Sequence, residues 1–146
     1  MVRSAKIAYL YLSDSSANST GSTLNATVAF DVEKFPAKLN IAYRFGIVNI
    51  SAHCEYRLDT RYYFEEKCIA SPDIISDVSG HQAWYVGDLY ASQMTGVDSI
   101  EVELPGYYSM VSKLMEKKIA SDEPYEEIDK SVVYFAVSDQ FIRIDD

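Results

Sequence analysis

Several residue types are scarce in this 146-residue chain: two cysteines, two histidines, four prolines, six glycines and one tryptophan. Cys54 and Cys68 leave no C-x-x-C spacing, which excludes the usual redox and zinc pairs and any disulfide scaffold. Both read as free thiols of a reducing compartment. Too few glycines remain for a phosphate cradle, and neither G-x-x-x-x-G-K-[ST] nor G-x-G-x-x-G occurs. H-E-x-x-H, the EF-hand loop and the G-x-S-x-G elbow are absent as well. No apolar run reaches about 18 residues, so no transmembrane helix is expected. Basic charge is also short. Thirteen Lys and Arg face 22 Asp and Glu, giving a net charge of −9 and a pI near 4.6. Phosphate backbones and anionic membranes repel such a surface, so neither nucleic acid nor membrane is an expected partner.

What is present is apolar and aromatic. Hydrophobic residues make up 48% of the chain and aromatics 13%, with twelve tyrosines. That excludes a disordered chain and fits one globular domain over residues 1–146. The charge is uneven. Residues 1–70 balance at +1 and residues 71–146 at −10. Solubility is the plain reading; steering toward a basic protein partner is the sharper one. The N-terminus alternates like a strand and lacks a small-residue cleavage site, so a cytoplasmic protein is expected. Sequons at Asn18, Asn25 and Asn49 are then read as unused, and they are the strongest point against that location.

Periodicity supplies the fold expectation. Residues 4–12 read as a strand, with Ile7, Tyr9 and Tyr11 on one face. Residues 13–23, small and polar, read as a mobile loop. Period-two alternation then predicts strands over 23–33, 38–50 and 52–65, joined as an antiparallel meander. Ser71-Pro72 is a helix-start signal, and Ile74, Ile75 and Val78 suggest a short helix stopped by Gly80. Further strands are expected over 82–90 and 97–104, with a turn at 94–96, and over Val132 to Val137. In 107–120, Tyr107, Met110, Val111, Leu114 and Met115 form one apolar stripe at helical spacing. The expected fold is therefore α+β: a curved, mostly antiparallel sheet with a long N-terminal meander and one amphipathic helix over 107–120 packed on it. A β-sandwich with a lateral helix is the alternative.

Candidate sites are few. His53, Glu55, Arg57, Asp59 and Arg61 share a strand face by alternation. A base oriented by a carboxylate beside anion-holding arginines would use that pattern; a solvated face of cross-strand charge pairs is the plainer reading. His81 sits in a loop after Gly80. Asp122, Glu123, Glu126, Glu127 and Asp129 form an acidic connection suited to docking a basic partner. Trp84, Tyr85, Asp88 and Tyr90 form an aromatic segment, and large side chains with polar tips are favoured as interface anchors. No metal or cofactor is expected.

The functional expectation is a non-enzymatic protein-interaction module with an acidic, tyrosine-rich surface, in the manner of an inhibitor, immunity-type or viral accessory protein. A homodimer is expected because long edge strands invite pairing. One alternative is a small-molecule-binding domain with a cavity between sheet and helix, using Arg44, Arg57 or a tyrosine hydroxyl. A second alternative is a small enzyme using His53 or His81.

Overall fold

The computed structural model describes residues 4–14, 26–72, 74–76, 78 and 82–142. Among these the chain forms nine strands and no helix. They are β1 (Lys6–Asp14), β2 (Ala29–Asp31), β3 (Ala37–Ser51), β4 (Cys54–Phe64), β5 (Lys67–Ala70), β6 (Gln82–Val86), β7 (Leu89–Val102), β8 (Gly106–Lys118) and β9 (Glu126–Ser138). Two sheets result, ordered β1-β3-β7-β6 and β2-β9-β8-β4-β5. Every neighbouring pair is antiparallel except β2 with β9.

The sheets face each other across one core. Alternation sends Leu39, Ile41, Tyr43, Phe45 and Ile47 of β3 inward from the first sheet. Tyr56, Leu58 and Tyr62 of β4, Met110 and Leu114 of β8, and Phe135 and Val137 of β9 meet them from the second. Phe135 gathers the aromatics, with edge-on contacts to Phe30 and Tyr62 and a stacked one to Tyr108. This is the interdigitated interior of a sandwich.

The α+β expectation is overturned, and so is the lateral helix of its sandwich alternative. Of segment 107–120, the residues up to Lys118 belong to β8, paired with β4 and β9. Its inward residues are Tyr108, Met110, Ser112 and Leu114. Ser112 is buried among apolar neighbours, where its hydroxyl shares a 3.0 Å hydrogen bond with Thr60. A polar residue at an inward position broke the period-two signal, while Val111 and Met115 on the outer face completed a helical stripe.

Among the described residues the expected short helix after Ser71 does not form either. Ile75 exchanges two backbone hydrogen bonds with Leu58, at 2.7 and 3.1 Å, and so bridges to β4. The meander is also corrected: β3 and β4 lie in different sheets, joined by a turn at 52–53. The expected turn at 94–96 falls inside β7. Most of the expected polar loop 13–23 lies outside the described residues, while Ser13 belongs to β1.

Two glycines sit where a side chain of the opposite strand occupies the place of a Cβ. At Gly96 an added Cβ would lie against the ring and hydroxyl of Tyr43, which is 2% exposed. At Gly46 it would meet the ring of Tyr9 on the protein surface. Gly96→Ala is therefore expected to destabilise by about 1–3 kcal/mol, because the buried Tyr43 ring and its hydroxyl must shift to admit the Cβ. Gly46→Ala should cost less, since Tyr9 can swing outward. Urea unfolding of the two variants checks the order.

Candidate functional site

The polar strand of the sequence reading lies on the solvent side of the second sheet. Glu55, Arg57, Asp59 and Arg61 alternate with the buried Tyr56, Leu58, Thr60 and Tyr62. Glu55 stands opposite Lys117 and Asp59 opposite Lys113 on β8. Lys113 in turn pairs with Glu127 of β9 at 3.4 Å. Tyr125 caps this face: its hydroxyl donates to Glu55 at 3.2 Å, and the Arg57 guanidinium lies 4.3 Å from its ring centre. His53 precedes β4, and its backbone carbonyl accepts from the Ile119 N–H at 3.1 Å. It is exposed in the turn before β4, and Glu55 accepts from Tyr125. Charges of both signs thus face solvent on these three strands, with the Lys113–Glu127 ion pair among them. His81 lies outside the described residues. Among the described residues no group of three or more His, Cys, Asp or Glu could hold a metal. Cys54 and Cys68 are free and sit at opposite ends of the β4 ladder, opposite Lys118 and Tyr63.

Asp122 and Glu123 are exposed in the β8–β9 connection; Glu126 and Glu127 open β9, also exposed. Asp129 is half-buried and accepts from the backbone N–H of Ile7 at 2.8 Å, tying β1 to β9. The acidic run is thus divided. Four carboxylates are open to solvent, and one fastens the two sheets together.

The aromatic segment forms a hairpin at the same end of the sandwich but on the other flank. β6 and β7 join through Gly87-Asp88, with Gly87 at φ +68 as a two-residue turn requires at its first position. Trp84 is 51% exposed, and Tyr85 and Val86 are each 73% exposed. Asp88 is exposed in the turn, whereas Tyr90 is half-buried against the core, its ring 5.4 Å from that of Tyr85. The structure therefore does not bring the hairpin and the acidic run together.

β6 is the last strand of its sheet. Val86 and Leu89 close the hairpin, and alternate pairs of an antiparallel ladder exchange bonds. The N–H groups of Ala83 and Tyr85 accordingly point away from β7 along the open edge. The other sheet edges are short, charged or tied down, the usual protections of an edge. β2 has three residues and ends in Asp31, β5 has four and begins with Lys67, and β1 is held by Asp129 and by a bridge from Ser13 to Ala26. β6, Gln82 to Val86, carries no charge.

Between the sheets runs a chain of hydroxyls that the sequence reading missed. Tyr62 donates to the Asp98 carboxylate at 2.8 Å, and Tyr43 is hydrogen-bonded to Thr60. Beside it an open cleft is lined by Tyr43, Asp98, Ser71, Pro72, Ile74 and Ile75. A second cleft of about 360 Å³ lies between the β5 and β7 sides, floored by Phe64, Ile69 and Tyr108. The cavity foreseen between sheet and helix has no helix to close it. Arg44 and Arg57 lie on outer strand faces, away from both clefts.

No protein-family model matches the chain, and no curated protein matches it. The fold is similar to that of a solved bacterial adhesin. That protein, from Mobiluncus mulieris, is described as containing intramolecular disulfide, isopeptide and ester bond cross-links. Two crystal forms of it give TM-scores of 0.57 and 0.51, each at 11% identity. Each alignment covers 93% of this chain and 58% of the adhesin chain, so this chain spans under two thirds of that structure. At this identity the likeness concerns the fold.

Burial holds the Tyr62 and Tyr43 hydroxyls far above their ordinary value of 10.0, and the Asp98 carboxylate beside them adds to the rise. A raised folded-state value means that the native protein keeps these protons when the unfolded chain would release them. This contribution is fully present below about pH 10 and is lost as pH rises above it. Unfolding in alkali should therefore set in above about pH 10, with tyrosinate absorbance rising together with loss of structure. Tyr62→Phe, which removes a donor to Asp98, should cost about 1–3 kcal/mol at neutral pH by denaturant unfolding.

Proposed function

We propose that the chain is a non-catalytic binding module that engages another protein by strand addition to the open edge of β6. The observation that carries this reading is the contrast between edges. Three are short, charged or fastened, while β6 presents Trp84, Tyr85 and Val86 with no charge to turn a partner strand away. An added strand would gain main-chain hydrogen bonds from the edge and side-chain contacts from the aromatics. Trp84 and Tyr85 point to opposite sides of the strand, so a partner would be gripped from both faces. The exposed carboxylates of Asp122, Glu123, Glu126 and Glu127 lie at the same end and would favour approach of a basic partner, acting on association rate more than on final affinity. The similar fold of an adhesin agrees with a sandwich used for binding.

The test uses Ala83→Pro. Proline there removes only an edge-facing N–H, a position where edge strands tolerate it. The full chain, carrying a photoreactive group in place of Tyr85, is expected to cross-link one polypeptide of its native cell extract, or a second copy of itself. Ala83→Pro should keep the unfolding midpoint and weaken that complex about tenfold or more. Equal capture by Ala83→Pro, or no cross-linked polypeptide, would overturn the edge as the contact.

A further inference from the structure

At the end of β7 away from its hairpin with β6, an open cleft of about 360 Å³ lies between the two sheets. That volume falls in the range of small-molecule sites. Its floor is built from rings backed by the core. Phe64 lies 4.7 Å from Tyr108, and Tyr108 lies 5.7 Å from the buried Phe135. The Tyr108 hydroxyl donates to the Leu104 carbonyl at 2.6 Å, so the floor offers ring carbon rather than a free polar group. Rings held in this way lose little entropy when a ligand covers them.

The mouth of the cleft carries opposite charges on its two walls. Lys67 opens β5 and stands directly opposite Phe64 of β4. Opposed residues of an antiparallel pair share a face, so the Lys67 side chain leaves the sheet on the side of the Phe64 ring. Glu103 lies on the other wall, just past the end of β7. Burial holds the Tyr108 hydroxyl above its ordinary value of 10.0, and the Glu103 carboxylate adds to the rise, which puts that charge close to the floor. Glu101 is a third charge on the rim, but it stands opposite Lys38 of β3. Among the described residues neither Lys67 nor Glu103 has an ion-pair partner.

We infer that this cleft takes a zwitterionic ligand with an apolar side chain, a free amino acid or a short peptide, seated on Phe64 and Tyr108 between Lys67 and Glu103. The ligand's carboxylate meets the Lys67 ammonium, its own ammonium meets Glu103, and its side chain covers the rings. A plain anion would face Glu103 and the field of a chain of net charge −9. A plain cation would face Lys67. A neutral apolar molecule would part both charges from water without answering either. A zwitterion answers both walls and brings no net charge. The β6 edge contributes no residue to this cleft, so the two sites are independent.

The two free thiols supply the readout. Cys68 lines the cleft, whereas Cys54 opens β4 at its other end. The full chain is alkylated with iodoacetamide, with and without phenylalanine, glycyl-phenylalanine, phenylethylamine or phenylpropionate, each raised to tens of millimolar. Mass spectrometry gives the rate at each cysteine. Phenylalanine or the dipeptide is expected to slow Cys68 about threefold or more and to leave Cys54 unchanged. Whichever of the two protects at lower concentration identifies the source of the ligand, and either result supports the site. The amine and the acid, each lacking one charge, should bind about fivefold more weakly. Lys67→Gln and Glu103→Gln, both at exposed positions, should each weaken the zwitterion about as much, read as the ratio of rates within each variant. Lys130→Gln, an exposed lysine of β9, should not. The assignment is overturned by any of four results: no protection of Cys68 by either zwitterion, equal protection of Cys54, equal binding of the amine or the acid, or indifference to both Lys67→Gln and Glu103→Gln.

Discussion

The fold depends on one constraint: two sheets must bury their inward rows against each other with no helix to help. The fully buried positions come from both sheets in nearly equal measure, Ile41, Phe45 and Ile47 on one side and Leu58, Met110 and Leu114 on the other. Neither sheet has an interior without the other. Large aromatics fill the space, and each brings a polar tip that must be satisfied. Tyr62 donates to Asp98 across the core, Tyr108 donates to the Leu104 carbonyl, and the Tyr56 hydroxyl oxygen accepts from the backbone N–H of Ser51. The tyrosine surplus is thus partly structural. It lets a strand-only core be wide, at the cost of threading hydroxyls and one carboxylate between the sheets.

Where alternation was clean, the sequence made the strand visible. In β3 and β4 the apolar residues recur at every second position, and both were legible as strands. Their partners were not. Length and alternation say that a strand has a buried face, but not which strand lies beside it. Adjacent strands of a meander and facing strands of a sandwich leave the same pattern. β8 failed for a different reason. Ser112 stands where an apolar residue would have marked the alternation, and only Thr60, 52 residues away, shows why a hydroxyl is tolerated there. Met115 and Val111 on the outer face then supplied a helical period by coincidence. Tertiary pairing decided against local pattern.

The surfaces were less legible than the core. Alternation groups His53, Glu55, Arg57, Asp59 and Arg61, while the surroundings of that face come from Lys113, Lys117 and Tyr125 elsewhere in the chain. The exposure of Trp84 and Tyr85 depends on β6 being the end of its sheet, which is a property of topology rather than of the segment. Tyr9 and Tyr11 could be seen to share a side, but Ile7 was grouped with them. A bulge of one residue reverses every side chain beyond it, and nothing in Ile7-Ala8-Tyr9 announces it.

The two outer faces of the sandwich divide the chain's chemistry. The second sheet is covered by charges that answer one another across β4, β8 and β9, and its long side chains keep water at the surface. The first sheet gives up that protection along β1 and β7. Gly46 has no side chain, Gln93 is engaged by Tyr9, and Tyr11 lies alongside. A glycine in the centre of a strand weakens it, so its place there calls for a compensating contact. The Tyr9 ring is that contact. It covers the backbone that Gly46 exposes, and in doing so it turns one aromatic face toward solvent. The same residue thus covers the sheet and leaves part of its ring exposed on this face.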